Sequence, residues 1–117
     1  MIKLIDIVSP IYQELLEKCS RRKISVNLDF QNLYMSVEDD EAIRKFFTTE
    51  IKRALKVCEA GDKITISQST TTDGKSRLSV KNSAKESLDA ATVQKLRDSG
   101  LEVRARFGYD TLITLVI

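Results

Sequence analysis

The sequence predicts an α+β fold, a two-layer α/β sandwich whose mixed, mostly antiparallel sheet carries its helices on one face. Three observations predict it. Three stretches place apolar residues at three- and four-residue steps, which is the period of an amphipathic helix. Between them lie short runs in which apolar and polar residues alternate, the period of a strand with one buried face. The third is Asp73-Gly74, a hairpin signal set between two alternating runs. The implied order of helix, two strands, helix, hairpin, helix, hairpin gives a sheet with one face left wet or available to a partner.

The first helix is read from Ile5, Val8, Ile11, Tyr12, Leu15, Leu16 and Cys19, which share a face. Pro10 is the sole proline and falls in the first turns, where a missing N–H costs least. Ile24, Val26, Leu28 and Phe30 then alternate with Ser25, Asn27 and Asp29 as a strand. A second short strand, Leu33 to Val37, is expected after a Gln31-Asn32 turn. Asp39 or Asp40 caps the next helix, because a short carboxylate accepts from the orphan N–H groups and complements the positive helix end. That helix runs to about Cys58 with Ile43, Phe46, Phe47, Ile51, Ala54, Leu55 and Cys58 inward. Arg44, Lys45, Lys52 and Lys56 fall largely outside this arc, and Gly61 ends the helix.

Lys63 to Ser69 reads as a strand with Ile64 and Ile66 inward, and Arg77 to Lys81 as its partner with Leu78 and Val80 inward. Asp73-Gly74 between them fits a type I′ turn, where both positions tolerate positive φ. Asn82 to Leu88 is polar and irregular. Asp89 caps a helix carrying Ala91, Val93 and Leu96 and closed by Gly100. Leu101, Val103, Ala105 and Phe107 alternate, Gly108-Tyr109-Asp110 turns, and Leu112 to Ile117 closes the sheet.

Composition narrows the function. The 117 residues are 42% hydrophobic and 31% charged, enough for one core without metal or disulfide staples and without a linker long enough to divide the chain. A formal charge of +2 argues against nucleic acid, whose binders carry a dense basic stripe; Arg21-Arg22-Lys23 is a solvated helix end. There is no histidine, so His-assisted nucleophiles, His metal ligands and phosphohistidine chemistry within this chain are excluded. Cys19 and Cys58 lack CxxC spacing and read as two buried thiols of a reducing compartment. No apolar run reaches the ~20 residues needed to span a bilayer, so membrane insertion is not expected and the cytoplasm is the expected location.

One stretch carries a family resemblance: Asp39 through Arg53-Ala54-Leu55-Lys56-Val57, then Glu59-Ala60-Gly61-Asp62-Lys63-Ile64-Thr65-Ile66. It is similar, without a gap, to the ATP-binding catalytic domain of sensor histidine kinases in the GHKL ATPase superfamily. There the run is Asp, Asn, then Asn-Ala-Ile-Lys-Tyr and a Gly-rich turn into a strand. Gly100-Leu101-Glu102-Val103 and Gly108-Tyr109-Asp110-Thr111-Leu112-Ile113-Thr114-Leu115 resemble the family's closing hairpin. The resemblance covers nearly the whole chain. It implies one histidine kinase ATPase-like domain over residues 1–117.

The resemblance also marks where an ATP site would lie. The two asparagines that help to hold Mg²⁺ in the family are Thr49 and Arg53 here. A guanidinium has only donors and a fixed positive charge, so Arg53 repels a cation; it is read either as a direct anion ligand or as a solvated arginine. Glu50 falls inside the apolar arc as an edge-of-core carboxylate or a displaced cleft residue. Lys56 matches a basic position that can approach phosphate in the family. After the strand ending at Val80, Asn82-Ser83-Ala84-Lys85-Glu86 replaces the family's Asp-x-Gly-x-Gly. Asn82 can still offer a carbonyl to adenine, whereas Ala84 and Glu86 put a side chain and a carboxylate beside a polyphosphate. Ser87 to Ser99 reads as one helix, with no room for the second glycine motif or an ATP lid. Residual nucleotide-facing positions are therefore Thr49, Arg53, Lys56 and Asn82, with no catalytic residue, no metal ligand and no cofactor expected.

Three readings follow. In the first, the chain is a non-catalytic histidine kinase ATPase-like module of two-component phosphotransfer signalling. Its partner is then a kinase, response regulator or phosphotransfer protein, met by the residual cleft at Thr49, Arg53 and Lys56 or by the Asn82 to Leu88 loop. In the second, it is a divergent ATP-binding kinase domain that uses ATP and Mg²⁺, with Arg53 replacing metal charge. In the third, it is an unrelated small α+β domain.

Overall fold

The structure, a computed structural model, describes residues 2–86, 88–105 and 110–117. The elements run β1 (Ile2–Lys3), α1 (Leu4–Arg22), β2 (Ser25–Phe30), β3 (Ser36–Val37), α2 (Asp40–Val57), β4 (Lys63–Thr70), β5 (Ser76–Asn82), α3 (Ala90–Asp98), β6 (Glu102–Arg104) and β7 (Thr111–Val116). Five strands form the main sheet in the order β2-β4-β5-β7-β6. Among the described residues only the β2–β4 pair is parallel, with Val26 opposite Ile64 and Leu28 opposite Ile66. The other pairs are antiparallel, so the mixed, mostly antiparallel α+β sandwich is observed.

The period-2 pattern sorts the sheet into two faces. Ile64 and Ile66 of β4, Leu78 and Val80 of β5 and Ile113 of β7 are buried in one core with Ile43, Phe47, Ile51 and Ala54 of α2 and Leu4, Ile7, Val8, Leu15 and Cys19 of α1. The alternate residues form a polar face, on which the Ser79 and Thr114 hydroxyls meet at 2.7 Å. Asn27 lies opposite Thr65 on that face.

Several details differ from the sequence reading. The run Leu33 to Val37 yields only the two-residue β3, which pairs with β1 in a separate small sheet. Main-chain bonds to the start of α1 occupy the rest: Leu4 N–H donates to Met35 at 2.9 Å and Ile5 N–H to Leu33 at 2.7 Å. Leu16 is 40% exposed, while Leu4 and Ile7 are fully buried in its place. The β4–β5 connection is not a type I′ turn. Gly74 has φ +83° and Asp73 is not among the positive-φ residues. Gly74 N–H donates to Thr71 and Thr71 N–H to Lys75, so the tip of this connection is the three residues between Thr71 and Lys75. That is a type I turn followed by a left-handed residue, a conformation glycine adopts without steric cost.

The last helix begins at Ala90, later than the Ser87 to Ser99 reading, and buries Leu96 while leaving Ala91 exposed. The caps at Asp39 and Asp89 are both observed, accepting from Ala42 N–H and Thr92 N–H. Phe107 and the Gly108-Tyr109 part of the last turn lie outside the described residues. No described helix is long and apolar enough to cross a membrane.

Candidate functional site

Helices α2 and α3 do not close against each other. Between them lies a groove of about 490 Å³, bounded by Thr49, Glu50 and Arg53 on α2, by Thr92 and Lys95 on α3, and floored by Leu101 and Leu115. The reason is the period of α2. Residues 42, 45, 46, 49, 50 and 53 recur at three- and four-residue steps, so the sequence builds one continuous stripe beside the core stripe. Phe46 belongs to both, 6% exposed, and pins the groove wall to the core.

The most unusual group here is Glu50. It is only 3% exposed, and its Oε1 accepts from Arg53 Nε at 2.8 Å. An isolated carboxylate at this depth would neutralise itself or destabilise the fold; the guanidinium one turn away satisfies it. The Arg53 side chain is about one-third exposed. Arg53 is thus not simply solvated, because its Nε is committed to Glu50, while its terminal N–H groups are not engaged by that bond. Sequence reasoning placed Glu50 inside the apolar arc but missed the pairing, although the i, i+3 spacing to Arg53 was the available signal.

The four positions singled out from the sequence are not one cluster. Thr49 and Arg53 line the groove; Lys56 and Asn82 are not part of its wall. Lys56 is exposed in the last turn of α2, where a cation complements the helix dipole. Asn82 is 7% exposed at the end of β5. Its Oδ1 accepts from Ala84 N–H at 3.1 Å, so the carbonyl that was to receive an adenine amino group is used inside the chain. Ala84 is itself buried against the core, at 7% exposure. Among the described residues no group of three or more His, Cys, Asp or Glu side chains could hold a metal ion.

A second cluster lies at the far ends of α1 and α2. Arg22 donates to the Leu55 and Cys58 carbonyls, both at 2.7 Å, which ties the last turn of α2 to α1. Cys19 and Cys58 are free, buried thiols. Burial, aided by the negative charge of Asp62, pushes the Cys58 thiol up to about 11, and burial raises Cys19 as well. Both are held protonated and poorly nucleophilic, as packing thiols are.

This architecture, a parallel-edged antiparallel sheet under α1 and α2 with α3 between β5 and β6, is the fold of histidine kinase catalytic domains. The solved catalytic domain of histidine kinase ThkA superposes on it with a TM-score of 0.79 at 16% identity, over 98% of this chain and 93% of that one. The mycobacterial sensor histidine kinase MprB matches with a TM-score of 0.69 at 11% identity, over 99% and 95% of the two chains. ThkA in complex with its response regulator TrrA matches with a TM-score of 0.77 at 17% identity, over 99% of this chain and 40% of that longer one. No protein-family model and no curated protein sequence matches the chain.

Proposed function

We propose that the chain is a non-catalytic histidine kinase ATPase-like domain, a single unit without ATP lid or glycine motifs, that serves as a protein-interaction or regulatory module in two-component phosphotransfer signalling. The observation that carries this reading is the Glu50–Arg53 pair. A buried carboxylate and its counter-cation occupy the wall of the groove between α2 and α3. A magnesium ion entering there would face a guanidinium, which has no lone pair to give. The engagement of Asn82 Oδ1 with Ala84 N–H supports the same reading, since base recognition would have to break that bond. The segment between β5 and β6, residues 83–101, holds α3 and short flanks, which leaves little chain for a lid.

The partner, in this reading, is a kinase, response regulator or phosphotransfer protein of the cytoplasm, and the phosphoacceptor histidine, absent from these 117 residues, comes from another chain or from another region of the same protein. The solved complex of the similarly folded ThkA with a response regulator supports a protein partner of this class. Titration calorimetry with ATP and ADP, with and without Mg²⁺, tests the proposal. No heat up to millimolar nucleotide is expected; micromolar affinity would replace it with a divergent ATP-binding kinase domain using Thr49, Arg53, Lys56 and Asn82.

A further inference from the structure

The groove between α2 and α3 does not end at Ala42 and Leu115. Those two residues also line a second depression of about 600 Å³, which continues along α2 to Glu38, Asp39, Gly74 and Ile117. The two form one trough whose floor is the helix-facing side of β7. Ile113 of β7 is 3% exposed, but Leu115, two residues on, is half-buried and Ile117 is 41% exposed. With only nine residues, α3 is too short to roof that end of the sheet.

The trough is polar in a directional sense. Its α3 end carries Lys45, Arg53 and Lys95, and the only acid there, Glu50, is buried and paired. Its other end carries Glu38 and Asp39 and no cation among the lining residues. From Asp39 to Arg53 is fourteen residues, so the charge gradient extends about 21 Å along α2 at ~1.5 Å per residue.

We infer that this trough is the docking site for an amphipathic helix of a protein partner, laid antiparallel to α2, with acidic residues in its first turns and basic residues in its last. A helix fits because it satisfies its own backbone. Where β5 and β6 both flank it, from Leu112 to Thr114, β7 offers an added strand no ladder to join. Apolar side chains on one stripe of the incoming helix would cover Phe46, Leu101, Leu115 and Ile117. The direction follows from charge. Helices favour acidic residues near the N-terminus and basic ones near the C-terminus, and antiparallel docking sets those ends over Lys45, Arg53 and Lys95 and over Glu38 and Asp39 respectively. The inference rests on the proposed non-catalytic reading, because a nucleotide would compete for the α3 end.

The test uses the full chain and a fluorescent synthetic helix of about 16 residues. The peptide has Glu in its first two turns, Leu on one stripe and Lys in its last two turns. Anisotropy is expected to show saturable, salt-sensitive binding, lost when the Leu stripe is replaced by Ser. Shifts of the Thr49 and Thr92 amide resonances should locate it. Lys45 and Lys95 are exposed, so Lys45→Glu with Lys95→Glu leaves the fold intact by circular dichroism. That double variant should bind the peptide at least about tenfold more weakly and should gain affinity for a version with Lys at both ends. Absence of binding, equal affinity for both peptides, or unmoved Thr49 and Thr92 amides would overturn the inference. Concentration-dependent self-association abolished by the same double variant would also overturn it, making a second copy the occupant. Nucleotide affinity in the calorimetric experiment would sink the non-catalytic reading itself, whereas peptide failure with nucleotide silence removes only the docking site.

Discussion

At the scale of single residues, the Glu50–Arg53 pair decides most. Arg53→Ala would strand a carboxylate that is 3% exposed, and we expect a loss of about 1–3 kcal/mol, toward the low end because Arg53 itself is partly solvated. Glu50→Leu with Arg53→Ala should recover most of the loss, since an apolar pair leaves nothing buried and unpaired. Urea unfolding of the single and double variants measures both. An equal loss in the double variant would mean the site needs volume and not charge balance. The thiols give a pH signature. The folded Cys58 value of about 11 stands above the ordinary 9.0, so the stability tied to the neutral thiol is complete below pH 9 and disappears as pH rises toward 11. Stability curves across that window should fall less steeply for Cys58→Ala than for the parent chain.

At the scale of elements, ends matter more than interiors. α1 finishes with Lys23 at φ 58°, the left-handed region, with Ile24 N–H returned to the Cys19 carbonyl and Lys23 N–H to Ser20. This closure brings Arg22 beside α2, where it caps two carbonyls that the helix cannot satisfy alone. Arg22→Ala should therefore cost about 1–2 kcal/mol. Faster amide exchange should appear in the last turn of α2 and not in α3. Loss spread evenly over the chain would show that Arg22 acts only through bulk charge. α3 depends on Asp89, whose carboxyl is held below its ordinary value chiefly by Thr92 N–H. Its capping contribution is present above pH 3.8 and lost as pH falls through the lower folded value, so α3 amides should lose protection first on acidification.

At the scale of the molecule, α1 and α2 share one core with the sheet, and the small β1–β3 sheet is stitched to the start of α1. Unfolding should be one cooperative transition, with near-ultraviolet and far-ultraviolet circular dichroism superimposing. Two separated transitions would divide the chain. Much of this fold was legible beforehand, because α2, β4 and β5 carry clean periods and α2 a strong cap at Asp39, although α2 ends at Val57 with Cys58 as its C-cap and Gly61 lies in the turn beyond. The small sheet was not, since two-residue strands have no period and β1 pairs with a segment more than thirty residues away. The candidate site was half legible: Thr49 and Arg53 face the groove as their spacing on α2 requires, whereas Asn82 and Lys56 depend on where the strand end and the helix end come to rest.

The sequence by itself determined the helices, the alternation of the strands and the mostly antiparallel sandwich they build, because local period and capping chemistry act within a few residues. It also determined that no histidine chemistry resides in this chain. Only the tertiary structure decided that Glu50 is buried and held by Arg53, that Asn82 is turned onto its own loop, and that β7 lies open along a trough of graded charge. Those outcomes depend on burial and on contacts between elements distant in sequence, and neither periodicity nor spacing encodes how deeply a side chain will lie.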